Sequence, residues 1–199
     1  MLTTTQWAAG YAALSWRVFP VRAGEKRPMF SGWQKDATTD PKMVQQYWGP
    51  LAQDRNIGVV CGEAFDAWDI EIDHVAALTV WMTENGHVFP EAPLARTGRG
   101  GMHYLTQPTG YGHTAKLYLG DRHIGELKST GGFIVVAPSR TEGQYLWEWA
   151  PYGMELPPAP QWLQTLAEAV AGRRLDDRGN FQIVRLDELQ RMRADTASH

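Results

Sequence analysis

Ala67-Trp68-Asp69-Ile70-Glu71-Ile72-Asp73 alternates without a break: Trp68, Ile70 and Ile72 on one side, Asp69, Glu71 and Asp73 on the other. Successive side chains of a β-strand point to opposite faces, so this pattern predicts a strand with one apolar and one acidic face. Side chains two apart stand roughly 7 Å from each other along a strand. Like charges at that spacing raise one another's pKa unless cations intervene, and an all-oxygen set of this kind suits Mg²⁺ or Mn²⁺. The plain alternative is a solvated outer face of an edge strand. A further acid, Glu126, on an apolar strand just before a turn, weighs against it.

Outward from this stretch, apolar and β-branched runs predict strands at Val18–Val21, Ile57–Cys61, Leu94–Arg96, Met102–Thr106, Ile124–Lys128, Phe133–Ala137 and Tyr145–Trp149. Ser129-Thr-Gly-Gly132 reads as the turn of a hairpin. Helices are expected after Thr3–Thr5, with Trp7, Ala8, Tyr11 and Leu14 on one face, and after Asp40-Pro41, an acidic cap followed by proline at the first helical position. Two more run from about His74 to Asn85 before Gly86, and from Pro160 to about Ala171. Residues 172–179 read as a linker, and Asp187–Ala194 as a last short helix. The fold class is α+β around one central mixed or antiparallel sheet, with one unit expected over residues 1–172 and a polar extension over 173–199 expected to lead toward further domains.

A second stretch carries phosphate chemistry. Arg96-Thr-Gly-Arg-Gly-Gly-Met-His103 joins two short strands. Glycines let a backbone approach a ligand closely, and arginine and histidine suit a polyphosphate. It is not a P-loop, since no Gly-Lys-Ser/Thr and no helix follow. Beside acidic strands, it reads as a nucleoside triphosphate site in which carboxylates hold metal and metal holds phosphate.

Composition bounds the rest. The 199 residues hold 19 Lys and Arg against 22 Asp and Glu, a net charge of −3 that excludes a protein coated in positive charge. The single cysteine, Cys61, excludes an internal disulfide or a multi-cysteine zinc site. No leader pattern is present, and the longest near-apolar run, Val75–Met82, is far below the roughly 18 residues a membrane span needs. A reducing cytoplasm and a monomer are the expectations. Each of the nine tryptophans is core ballast by default, with base stacking as the functional reading; Trp33 and Tyr111 are the candidates for the latter.

Taken in order, these pieces resemble the prim-pol domain of the archaeo-eukaryotic primase superfamily, found in replication proteins of phages and plasmids. The resemblance rests on Tyr11–Val21, Gly24-Glu-Lys-Arg-Pro28 with Gly32-Trp33, Asn56–Gly62, Glu71-Ile-Asp73, Arg96–Tyr104 and Gly125–Ser139, covering about residues 7–150. It implies a primase-like core with an RRM-like unit, and DNA polymerase and primase activity with two Mg²⁺ or Mn²⁺ ions held by Glu71, Asp73 and Glu126. It also implies phosphate contacts from His103 and Lys128, with Arg99, Gly100, Lys26 and Asn56 as further nucleotide contacts. A second acidic frame, Asp69-x-Glu71, fits as well; Glu71-x-Asp73 is preferred because it keeps the spacing from Gly58 and because the helix is expected right after Asp73. The implied partners are single-stranded template, primer, dNTP or NTP, and a helicase domain in the same full-length chain, in a bacterial host's cytoplasm.

Two other readings stand beside it. Asp73 with Glu126-Leu-Lys128 fits the short acidic-x-lysine pattern of metal-dependent nucleases. A non-catalytic single-stranded DNA or origin-binding module would use the basic stretch Arg17, Arg22, Lys26, Arg27 and Lys35 with exposed aromatics.

Overall fold

A computed structural model describes residues 2–171, 173–175 and 181–183. Helix α1 (Thr4–Ala13) opens with a capping box: the Thr3 hydroxyl accepts from the Gln6 N–H while the Gln6 side chain accepts from the Thr3 N–H. It buries Ala8, Tyr11 and Ala12. Strand β1 (Val18–Val21) follows, then the four-residue helix α2 (Trp33–Asp36) and helix α3 (Pro41–Tyr47), where the Asp40 carboxylate accepts from the Lys42 N–H. Strand β2 (Asn56–Val60) lies antiparallel between β1 and β8 (Phe133–Val136) in a three-stranded sheet.

A second sheet has six antiparallel strands. Its members are β3 (Asp66–Ile70), β4 (Leu94–Arg96), β5 (Met102–Thr106), β6 (Ala115–Leu119), β7 (Arg122–Lys128) and β9 (Leu146–Trp149), in the order β6-β7-β3-β5-β4-β9. One face carries Trp68, Ile70, Tyr104 and Leu127 and packs against α4 (Ile72–Glu84) and α5 (Gln161–Ala171) through Leu78, Met82, Leu163 and Leu166. On the other face Ala67 and Leu105 join Ile57, Val59, Ile134, Tyr11, Trp16 and Trp48 in a core shared with the three-stranded sheet and α1. One row further along that same face, the side chains are polar.

The α+β class and antiparallel pairing are as expected, but the single central sheet is two sheets. The expected hairpin at Ser129–Gly132 is a crossing between them: Lys128 pairs with Ala67, whereas Phe133 pairs with Val60. Gly131 takes a left-handed φ of 81° and the Gly132 carbonyl accepts from the Cys61 N–H, which turns the chain onto β2. The acidic strand ends at Ile70, not Asp73. The Glu71 N–H donates to the Ile124 carbonyl at 3.0 Å, Glu71 is the cap of α4, and Asp73 sits in its first turn. Ile72, which the alternation placed in the core, is 44% exposed. Acids at a helix start are favoured by the helix dipole, a signal that competed here with the strand pattern. Strand β6 (Ala115–Leu119) has no counterpart in the expected strands, and the expected linker at 172–179 includes β10 (Arg173–Leu175), which pairs antiparallel with β11 (Phe181–Ile183) beyond it. The short helix expected at Asp187–Ala194 lies outside the described residues. No helix among the described residues is long and apolar enough to cross a membrane.

Candidate active site

The polar row on the second sheet is set by its ladder. Asp69 on β3 is the direct partner of His103 on β5 and of Glu126 on β7, and Lys128 stands two residues beyond Glu126 on the same face. Three chemical groups from three strands are thus placed side by side by backbone hydrogen bonds rather than by loops.

His103 is 3% exposed, and its Nε2 lies 3.4 Å from Asp69 Oδ1. Burial pushes the Asp69 carboxyl up, but the facing imidazole, with Lys26 and Lys128 nearby, outweighs that and holds it below the usual carboxylate range. The other ring nitrogen of His103, Nδ1, is buried without a hydrogen-bond partner among the described residues. Glu126 Oε2 accepts a hydrogen bond from Lys128 Nζ.

These groups open into a cavity of about 670 Å³, within the range of small-molecule sites. Glu71 and Asp73 reach it from the start of α4, Arg99 and Gly101 from the β4–β5 turn, Lys26 from the loop after β1, Trp33 from α2 and Phe133 from β8. Gly101 packs against the Ile70 carbonyl so closely that a Cβ would stand 2.5 Å from its oxygen, so the turn is seated directly on the end of β3. Of the residues singled out from the sequence, Asp69, Glu71, Asp73, His103, Glu126, Lys128, Arg99 and Lys26 share this cavity.

Two do not line it. Gly100, at φ 90°, donates its N–H to the Thr97 carbonyl at 2.9 Å, so that donor closes the turn instead of facing a ligand. Asn56 is 3% exposed and its amide is spent on backbone. Its Nδ2 donates to the carbonyls of Glu25 at 3.0 Å and Arg140 at 2.8 Å, with a longer bond to Arg22, and its Oδ1 accepts from the Arg140 N–H at 2.9 Å. It latches the Lys26 loop to the turn after β8. Tyr145, unremarked in the sequence beyond its place in a strand, lines the cavity with its ring 6.0 Å from that of His103; an aromatic at a strand start carries no functional signal of its own.

The donor chemistry fits a hard divalent cation. Four carboxylates line one cavity whose remaining charges are Lys26, Arg99 and Lys128. Arg99 is turned toward Glu142 at 3.5 Å, both side chains exposed. No three His, Cys, Asp or Glu side chains among the described residues converge as a ready-made metal cage. In the present arrangement the Lys128 ammonium supplies the counter-charge to Glu126. A polyanion meeting these carboxylates needs bridging cations.

The chain matches the profile of a family described as bifunctional DNA primase/polymerase, N-terminal, over residues 8–162. No curated protein matches it.

Proposed function

Since the chain belongs to the Prim-Pol family of DNA primases/polymerases, we propose that this cavity performs template-directed nucleotidyl transfer in phage or plasmid replication, on an archaeo-eukaryotic primase core. The observation that carries the reading is the row Asp69, His103 and Glu126, neighbours across three strands that line one cavity.

Asp69, Glu71 and Glu126 would hold Mg²⁺ or Mn²⁺, with Asp73 alongside at the first turn of α4. Such ions lower the pKa of an attacking hydroxyl and steady a departing pyrophosphate. The 3′-hydroxyl of the primer gives its proton to solvent and attacks the α-phosphorus of the nucleoside triphosphate, a phosphorus–oxygen bond forms, the bond to the bridging oxygen breaks, and pyrophosphate leaves. His103, oriented by Asp69, presents an imidazole N–H to the phosphates. Lys128 and Lys26 add positive charge around the triphosphate, and the seat of Gly101 on β3 fixes the turn that borders it. Single-stranded template and primer are the partners of this reading.

The bond from Lys128 to Glu126 also suits metal-dependent hydrolysis of DNA. One experiment separates the two: labelled primer on template with Mn²⁺, with and without dNTPs. Extension that needs dNTPs and disappears in Asp69→Asn supports transfer. Shortening without dNTPs makes the site a nuclease.

A further inference from the structure

The lining of the cavity contains a large aromatic that the chemistry above does not use. Trp33 is half-buried, lines the cavity, and belongs to α2, a helix with no buried residue. Four residues do not hold a helix by themselves. This one is pinned from outside along its carbonyl end. Arg17 donates from Nε to the Ala37 carbonyl at 3.2 Å and from a terminal nitrogen to the Gln34 carbonyl, while pairing with Glu63 at 2.7 Å. The Tyr47 hydroxyl donates to the Asp36 carbonyl at 2.9 Å. Against the indole, Phe19 lies 4.7 Å away at 30° and Phe133 5.0 Å away at 64°. The ring is therefore held by two aromatic neighbours where it lines the cavity.

A nucleoside triphosphate has a charged end and a flat apolar end. Asp69, His103, Glu126 and Lys128 come to the cavity from the six-stranded sheet and Glu71 and Asp73 from the start of α4, whereas Trp33 is seated on Phe19 and Phe133 of the three-stranded sheet. Of the other aromatics lining the cavity, Tyr145 is 1% exposed and Phe133 serves as a support of the indole. We propose that Trp33 is the stacking platform for the base of the incoming nucleoside triphosphate. This rests on the nucleotide reading of the same cavity and adds the base subsite to it. A stacked base is sequence-tolerant, because every base offers a π-face, as a polymerase that copies any template requires.

The test measures, by calorimetry with Mg²⁺, the affinities of dATP, inorganic tripolyphosphate and a single-stranded oligonucleotide for the wild type, Trp33→Ala and Trp33→Phe. Stacking of one base is worth a roughly 5- to 150-fold change in affinity. The expected result is a loss of that size for dATP in Trp33→Ala, unchanged tripolyphosphate binding, and substantial recovery in Trp33→Phe. Unchanged tripolyphosphate binding also reports that the variant's site is intact. Equal loss of dATP and tripolyphosphate, no loss of either, or weakening confined to the oligonucleotide overturns the proposal. Wild type that binds neither dATP nor tripolyphosphate sinks the nucleotide reading itself, a different outcome from the preceding three.

Discussion

The two walls of the cavity are held in place by different means. On the sheet wall, Asp69, His103 and Glu126 take their positions from a β-ladder in which Asp69 is the direct partner of both the others. Lys26 and Trp33 instead come from a loop and a four-residue helix, and their positions depend on side chains reaching in from elsewhere: Asn56 onto the Glu25 carbonyl, Arg17 onto those of Gln34 and Ala37. A ladder spreads its support over many bonds, whereas a latch concentrates it in one residue. Changes on the sheet wall should therefore remove chemistry and leave the structure, and changes at the latches should disturb structure and ligand affinity together.

The largest effect is expected for the row itself. Asp69→Asn or Glu126→Gln should cut nucleotide incorporation by on the order of 100-fold or more while shifting the melting temperature little; primer extension and thermal unfolding on the same preparations check it. A large stability loss with preserved turnover would reverse the comparison. Next comes Asn56→Ala. Removing this buried amide strands the Arg140 N–H and two carbonyls, which should cost about 1–3 kcal/mol of stability. It should also raise KM for nucleotide more than it lowers kcat, because Lys26 loses its anchor. Steady-state kinetics beside denaturant unfolding would show whether the two effects travel together.

Lys26→Ala tests the same wall more gently. The side chain is exposed, so its pull on a triphosphate is screened by salt. A several-fold loss of nucleotide affinity at low ionic strength should shrink at high ionic strength; a loss independent of salt would point to a structural role instead. The smallest effect concerns Tyr104, next to His103 in sequence but on the opposite face, buried behind the sheet and donating to the Pro90 carbonyl at 3.0 Å. Burial pushes its phenol up to about 12. A pKa raised in the folded state stabilises fully below about pH 10, the ordinary tyrosine value, and that contribution is lost as pH rises toward 12. Tyr104→Phe should therefore lose less stability than wild type between pH 10 and 12, with activity near neutral pH unaffected. Urea unfolding across that window measures it.

Much of the architecture is legible in local pattern. The strands at Val18–Val21, Leu94–Arg96 and Met102–Thr106 and the Asp40-Pro41 helix start follow from residue type and spacing alone. What depended on distant partners was not legible. Whether the Ser129–Gly132 turn folds back or crosses between sheets is decided by the Gly132 carbonyl meeting Cys61, a contact about which local sequence is silent. The site shows the same division. Asp69, Glu71, His103, Glu126 and Lys128 stand out by chemistry and order. The ranking of Asp69 against Asp73 depended on where β3 ends, and the alternation ran on through Ile72 past the true end at Ile70. Asn56 was noticed, but its role was not, because its Arg140 partner lies 84 residues away in the chain.

The most direct measurement of the central claim is primer extension on a single-stranded template by wild type, Asp69→Asn and Asp73→Asn in parallel, with Mn²⁺ and dNTPs and with folding verified for each. The account expects wild-type extension, its abolition in Asp69→Asn, and a clearly milder defect in Asp73→Asn. Full extension by a folded Asp69→Asn variant would contradict it.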